Sequence, residues 1–233
     1  MKERPTEILF MPGFDGVAEL REEFVEALRA VAPARAIGYP NKTLDTLNGY
    51  ARFAASQVAP ESRPVLVAES FSGLVAARWA AQDPHVAGLV LCAGFVRNPV
   101  ALAGLGASMP AAAQFFGANF VNPMSYLSGD PARRRWSEAL GTAIRSLHRD
   151  VVAERLRLIS TEDVGAELAS LRVPVVLAQF QDDAVIDAEH RGALEAACHD
   201  PRIVRIAGPH FNIEIRPRDV AEAIKPQLAN LFA

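Results

Sequence analysis

The chain has 233 residues, of which 50% are hydrophobic and 22% are charged, a balance typical of a folded globular protein rather than a disordered one. This length allows one sizeable core, or a core plus a small insertion, but is short for two full domains. The formal net charge of −3, from 24 basic and 27 acidic residues, excludes the basic excess that nucleic-acid-binding proteins usually carry.

The N-terminus and the two cysteines favour a cytoplasmic location. Residues 1–7 are polar and lead at once into a short apolar run, without the long apolar stretch and cleavage site of a secretory signal. No uninterrupted apolar segment is long enough to span a bilayer. Cys92 and Cys198 lack the spacing of a metal site, and Cys92 closes an apolar run, as a buried small hydrophobe would. We therefore expect a cytoplasmic protein without a membrane span.

Short apolar runs along the chain predict the strands of a sheet. Most of them show no alternation with polar residues, which is typical of strands buried on both faces of a parallel sheet. The second run is a weaker candidate than the others. The runs are Ile8–Met11, Arg35–Tyr39, Val65–Ala68, Val86–Cys92, Val173–Ala178 and Ile203–Ile206.

Helical patterns lie between these runs. Apolar residues recur at helical spacing from Val17 to Leu28, and another such stretch begins at Leu74. The last helix is expected from about Pro217 to Phe232, with a kink or an interruption at Pro226. The alternation of strand and helix predicts an α/β fold: a mostly parallel sheet of about six strands, flanked by helices.

One segment, residues 98–163, breaks this alternation. It contains no convincing strand; glycines and prolines divide its first half, and residues 132–159 have the pattern of two helices. We interpret it as an inserted helical cap, so that residues 1–97 and 164–233 form the core. Its large apolar side chains either line a pocket or pack within the cap: Phe115, Phe116, Phe120, Met124, Tyr126 and Trp136.

A candidate nucleophile follows the third run, in the sequence Glu-Ser-Phe-Ser-Gly at residues 69–73. A serine at a tight strand-to-helix turn has an exposed hydroxyl if its neighbours two positions away are small, as Ala68 and Ser72 are. The first N–H groups of the helix then favour an oxyanion. Ser70 is therefore a candidate nucleophile, although it could instead cap the helix. Glu69 either orients the site or serves only the turn.

The loop after the first run is a candidate oxyanion loop. Gly13 and Gly16 free its backbone to point N–H groups inward. In a serine hydrolase with such a nucleophile turn, one oxyanion donor comes from a loop after an early strand and the other from the residue after the nucleophile. These donors would be the backbone N–H groups of Phe14 and Phe71. The alternative is a plain glycine turn.

The base and its partner acid are expected on the loops after the last two strands. His210 follows a Gly-Pro turn signal, which places it on a loop. Two aspartates follow the fifth run, and we favour Asp182, four residues after that run, over Asp183; both could also merely begin a turn. The order Ser70, Asp182, His210 predicts a catalytic triad, in which the histidine takes the serine proton and the aspartate orients the imidazole.

Four motifs together resemble the α/β-hydrolase superfamily of serine hydrolases, over nearly the full length of the chain. The resemblance is closest to small bacterial carboxylesterase-type members. It implies the α/β-hydrolase fold and an acyl-enzyme mechanism on a small-molecule ester or thioester. The motifs are Pro12–Gly16, Ala68–Gly73, Gln181–Ile186 and Gly208–Phe211.

Other functions use the same scaffold. Carbon–carbon bond hydrolysis, lactone opening and cofactor-free peracid formation all occur on it, and the fold does not choose among them. A slow, receptor-like hydrolase is a further alternative. No cofactor or metal is expected, because the chain has neither a His-Glu-x-x-His motif nor a Gly-x-Gly-x-x-Gly motif after its first strand. The pattern predicts no particular oligomeric state.

Overall fold

Six parallel strands form the centre of the computed structural model, which describes residues 5–99 and 131–233. The strands lie in the order β2-β1-β3-β4-β5-β6, and each neighbouring pair is parallel. The predicted strands and the predicted parallel sheet are thus confirmed. The strands are β1 Glu7–Met11, β2 Ala34–Ala36, β3 Pro64–Glu69, β4 Gly88–Cys92, β5 Val175–Phe180 and β6 Arg202–Ile206.

Burial on both faces explains why the apolar runs show no polar alternation. Successive side chains of a strand point to opposite faces, and here each face packs into its own apolar cluster. Leu9 and Leu66 belong to the cluster on one side, whereas Phe10 and Val67 belong to the cluster on the other. The edge strand β6 is less covered, and its Ile203 is 37% exposed.

Nine α-helices flank or cover the sheet within the described residues, and a 3₁₀ helix at Ala18–Arg21 leads into the first. None of these helices is long and apolar enough to cross a membrane. The helices are α1 Glu22–Leu28, α2 Leu47–Ala55, α3 Phe71–Gln82, α4 Pro131–Ser146, α5 Arg149–Thr161, α6 Gly165–Ser170, α7 Ala188–Ala197, α8 Asn212–Ile215 and α9 Pro217–Phe232.

The last helix has the predicted bounds, but the interruption expected at Pro226 is wrong. Helix α9 continues through the proline to Phe232. A proline inside a helix costs about 3 kcal/mol or more. Ile224 and Leu228, on either side of it, are fully buried in the cluster against the sheet, and this packing offsets that cost.

The predicted insertion of residues 98–163 falls partly within the described residues. Helices α4 and α5 correspond to the two helices expected at residues 132–159. A single antiparallel bridge pairs Arg97 with Asp163, which brings together the chain at the two predicted boundaries. The remaining candidate pocket residues of the insertion lie outside the described residues: Phe115, Phe116, Phe120, Met124 and Tyr126. The division into core and cap stays a prediction.

A fully buried arginine on α5 connects this helix to α2 and to the loop after β1. The Nη1 of Arg155 donates to the carbonyl oxygen of Phe14 at 2.6 Å, and its Nε donates to the hydroxyl of Tyr50 at 3.1 Å. The guanidinium also lies 5.5 Å from the ring centre of Tyr39 and 5.6 Å from that of Tyr50. A carbonyl oxygen and two aromatic faces therefore stabilise this buried charge.

Gly16 provides the room for this arginine. Its φ is +73°, and a Cβ there would lie 2.8 Å from Nη1 of Arg155. We expect Gly16→Ala to lower the free energy of unfolding by about 2 kcal/mol, from the left-handed backbone and the displaced guanidinium. Urea denaturation measures this change.

Gly192→Ala is the matched control, since Gly192 lies within α7 and a Cβ there meets nothing within 4 Å. That change should raise the free energy of unfolding by about 0.5–1 kcal/mol, because alanine loses less backbone entropy in a helix than glycine. Equal effects of the two changes would contradict the account of Gly16.

Candidate active site

Ser70 lies in a strained turn between β3 and α3. Its φ of 50° and ψ of −117° are unfavourable for a residue with a Cβ. Its N–H donates to the carbonyl oxygen of Cys92 at 2.9 Å, and its own carbonyl accepts from Gly73 at 2.8 Å. The side chain of Ser70 makes no capping hydrogen bond to α3, so the alternative that it caps the helix is wrong. As expected for so tight a turn, Ala68 and Ser72 are fully buried.

The structure brings Ser70 and His210 together. The Oγ of Ser70 lies 3.0 Å from Nε2 of His210, and Nδ1 of His210 lies 2.8 Å from Oδ2 of Asp183. The histidine side chain is 6% exposed and that of Asp183 is 1% exposed. The other oxygen of Asp183 accepts from the N–H groups of Val185 and Ile186, both at 2.8 Å. These two bonds hold the carboxylate facing the imidazole.

The preference for Asp182 over Asp183 is contradicted by this geometry. The carboxylate of Asp182 is exposed and accepts at 3.0 Å from the N–H of Gly208, on the neighbouring loop. The reason is the length of β5, which extends to Phe180, two residues beyond the predicted end at Ala178. The longer strand leaves Asp182 at the start of the loop and turns Asp183 inward.

The two residues predicted to supply oxyanion donors both lie close to Ser70. Phe14 is in the loop after β1 and lines the same cavity as Ser70, while Phe71 is the first residue of α3. No described residue accepts a hydrogen bond from the backbone N–H of Phe14 or of Phe71. The loop also closes on itself, since the N–H of Gly16 donates to the carbonyl of Gly13 at 3.1 Å. Neither the Phe14 nor the Phe71 N–H group is therefore satisfied by a described residue.

An apolar cavity of about 300 Å³ opens at Ser70 and His210. Helices α4 and α5 of the insertion supply much of its wall. Trp136 is not among its lining residues; its ring lies 4.8 Å from that of Phe211, in a cluster with α4 side chains, as the packing alternative expected. The apolar lining residues are Phe14, Phe95, Pro99, Leu140, Ile144, Val152, Leu156, Ile159, Val185 and Phe211.

A buried charged cluster lies beside the cavity, and sequence reasoning found only Glu69 of its members. Arg21 donates to three carboxyl groups: to Asp15 at 2.7 and 2.8 Å, to Glu69 at 3.1 Å and to Glu214 at 2.5 Å. None of the four side chains is more than 2% exposed. The sequence does indicate that Arg21 is buried, because it lies three residues before Phe24 on the apolar side of the helical pattern.

Two carboxyl groups of this cluster have opposite pKa shifts. Burial, followed by the charge of Glu69, raises the pKa of Glu214 well above its ordinary value. Burial acts in the same direction on Glu69, but Arg21 and a hydrogen bond from Glu214 outweigh it and hold the pKa of Glu69 below its ordinary value. Within the described ranges, no group of three His, Cys, Asp or Glu side chains could hold a metal ion.

Comparison with known proteins identifies the architecture. A model of the alpha/beta hydrolase family matches residues 8–223, which is most of the chain. No curated protein matches. Among solved structures, an esterase from Rhodococcus sp. ECU1013 is similar at 21% identity and a TM-score of 0.73, covering 97% of this chain and 91% of the other.

Proteins with other activities are equally similar in structure. An enol-lactonase from Burkholderia xenovorans LB400 has 15% identity and a TM-score of 0.79, covering 98% of this chain and 92% of the other. A bromoperoxidase from Bacillus anthracis has 13% identity and a TM-score of 0.78, covering 95% and 91%. At these identities the likeness shows the fold alone.

The strain at Ser70 has a measurable consequence. Ser70→Ala and Ser70→Gly both remove the hydroxyl, but only glycine adopts φ and ψ of this kind without strain. We expect the glycine variant to be more stable than the alanine variant by about 1 kcal/mol in chemical denaturation. Inside α3 the order should reverse, with Ala76→Gly less stable than the parent. A Ser70→Gly variant less stable than Ser70→Ala would contradict the strain.

Proposed function

Because the chain belongs to the alpha/beta hydrolase family, we propose that it is a serine hydrolase that cleaves a carboxylic ester or thioester. Ser70 is the nucleophile, His210 the base and Asp183 the acid that orients the base. One observation carries this proposal: a continuous line of hydrogen-bonding groups runs from Ser70 Oγ through the imidazole to the buried Asp183, at the mouth of an apolar cavity.

The distances support proton transfer from Ser70. With Nδ1–H donating to Asp183, Nε2 of His210 carries a lone pair that faces the serine hydroxyl at 3.0 Å. The hydroxyl is a weak nucleophile until a base takes its proton. The imidazolium formed in that step is stabilised by Asp183, whose carboxylate is buried and held by two backbone N–H groups.

We assign the stabilisation of the negatively charged oxygen of the tetrahedral intermediate to the backbone N–H groups of Phe14 and Phe71. The second of these is at the N-terminus of the 12-residue helix α3, whose dipole favours negative charge. Removing one such donor typically costs about 10²–10³ in rate. Collapse of the intermediate expels the alcohol or thiol, protonated by His210, and leaves an acyl group on Ser70 Oγ that water then removes.

The cavity favours an uncharged, apolar acyl group. Its walls are mainly aliphatic and aromatic side chains, and its charged lining groups are already paired with one another in the Arg21 cluster. An apolar chain gains roughly 0.8 kcal/mol for each CH₂ group that it buries. A lactone is a cyclic ester that would require the same groups, so its opening is the second candidate reaction.

Covalent labelling tests the nucleophile directly. A fluorophosphonate probe should label the parent protein and leave Ser70→Ala unlabelled, because only a serine activated by a base attacks phosphorus rapidly. Ser56→Ala is the matched control, since Ser56 is exposed at the end of α2 and should have no effect.

A series of p-nitrophenyl esters of increasing chain length, with a small lactone in parallel, then separates the two reactions and sizes the acyl site. A folded parent protein that the probe does not label would refute the hydrolase proposal. It would favour the alternative of a receptor-like protein.

Paired substitutions test the acid. Asp183→Asn should lower kcat by about 10⁴, because the amide no longer stabilises the correct imidazole tautomer or the imidazolium. Asp182→Asn removes an exposed contact with Gly208 and should cost less than about tenfold. The opposite result, with turnover lost only in Asp182→Asn, would show that the hydrogen bond of Asp183 is not the functional one.

A further inference from the structure

One guanidinium group connects three of the four segments that carry the proposed chemistry. Asp15 is in the loop of the oxyanion donor Phe14, and Glu69 directly precedes Ser70. Glu214 is in α8, four residues after His210. Arg21 donates to all three carboxyl groups at distances of 2.5 to 3.1 Å. The oxyanion loop, the nucleophile turn and the base loop therefore meet at a single side chain.

Two of the carboxyl groups that accept from Arg21 also accept hydrogen bonds from the backbone near Phe14. The Oε2 of Glu69, which accepts from Arg21, also accepts from the N–H of Gly13 at 3.1 Å. The Oδ1 of Asp15, which accepts from Arg21, also accepts from the N–H of Val17 at 2.8 Å. The residues immediately before and after Phe14 are thus held by the cluster, and a displaced Arg21 would move the peptide of the proposed oxyanion donor.

The charge of the cluster favours a proton on one carboxyl group, which lowers its excess of negative charge from two to one. Three ionised carboxylates around one guanidinium would leave two uncompensated negative charges in the interior, at a high desolvation cost. Asp15 accepts from Arg21 through both oxygens, and Glu69 accepts from Arg21 and from Gly13. Glu214 accepts through Oε1 alone, and its buried Oε2 has no donor among the described residues.

The buried Oε2 of Glu214, which has no hydrogen-bond partner among the described residues, and the raised pKa of this group both favour the proton on Glu214. Within the cluster, Glu214 faces Arg21, Asp15 and Glu69. His210 and Cys92 also interact with Glu69, so four ionisable groups surround this carboxyl pair: Arg21, Asp15, His210 and Cys92.

We propose that Arg21 is a positioning residue for the reaction of Ser70, holding the three loops in register through its hydrogen bonds to Asp15, Glu69 and Glu214. This inference rests on the proposed hydrolase function. A buried ion cluster is weak evidence for stability in itself, because apolar replacements are often equally stable. A role in positioning requires instead that turnover falls while the protein stays folded.

Arg21→Met tests this directly, with Arg218→Met as its matched control. Arg218 lies on α9 with its side chain 79% exposed, paired with Glu23. We expect kcat for a p-nitrophenyl ester to fall by about 10² in Arg21→Met, with a smaller change in KM, since a displacement of about 1 Å can cost that much. Arg218→Met should keep the parent kcat. Circular dichroism establishes that each variant is folded.

A second pair of variants decides the question even if Arg21→Met does not fold. Glu214→Gln keeps an oxygen that can accept from Arg21, whereas Glu69→Gln removes the negative charge that faces Arg21 and the N–H of Gly13. The loss of kcat should therefore be much larger in Glu69→Gln than in Glu214→Gln. Equal losses, or a larger loss in Glu214→Gln, would overturn the proposal.

The pH dependence of the free energy of unfolding tests whether Glu214 is protonated in the folded protein. Because the pKa of Glu214 is raised, the folded protein keeps a proton that the unfolded chain releases above pH 4.5 or so, the ordinary pKa of the group. This contribution to stability is complete at low pH and is lost as the pH rises towards the raised pKa. Glu214→Gln should remove that slope from urea unfolding measured across this range, and an unchanged slope would contradict protonation of Glu214.

The outcomes separate this inference from the function on which it depends. A parent enzyme that is labelled and active, together with a folded Arg21→Met of parental kcat, would overturn the role of Arg21 alone. A parent protein that is neither labelled by the fluorophosphonate nor active on esters would overturn the proposed function. A labelled, active parent with a folded but slow Arg21→Met supports both.

Discussion

Burial of the central strands on both faces determines where reactive groups can lie in this protein. From β1 to β5 through β3 and β4, nearly every residue is inaccessible to solvent, so a polar side chain within them would lose its hydration. Reactive side chains are therefore confined to the loops beyond the strand ends. Because all six strands are parallel, the loops that follow them leave at one edge of the sheet, and four of them contribute to one site. The residues brought together in this way are Phe14, Ser70, Asp183 and His210.

Two buried arginines hold the loop after β1 from different sides. Arg21, just before α1, reaches the loop through Asp15 and through Glu69, while Arg155 on α5 donates to the carbonyl oxygen of Phe14. A loop with two glycines has considerable conformational freedom in isolation. Contacts on both sides restrict that freedom, and a rigid peptide is what stabilisation of a developing charge by a backbone N–H requires.

Much of this arrangement could be predicted from the residues alone, and the exceptions have identifiable physical causes. The strands and several of the helices follow from apolar runs and periodicity, and Ser70 and His210 follow from turn signals at strand ends, whereas the helices α2, α6 and α7 were not predicted. Asp183 could not be separated from Asp182, because the choice depends on two further residues of β5. Arg21 and Glu214 are 193 positions apart in the chain, and the pairing of such distant side chains is a property of the tertiary structure.

The attachment of α5 also limits how this protein could diversify. Helix α5 contributes a charged group to the interior of the protein, in contact with the rings of Tyr39 and Tyr50 and with the carbonyl oxygen of Phe14. A segment in this place without an equivalent of Arg155 would leave that backbone carbonyl unsatisfied. Sequence changes in α5 are therefore coupled to the loop after β1.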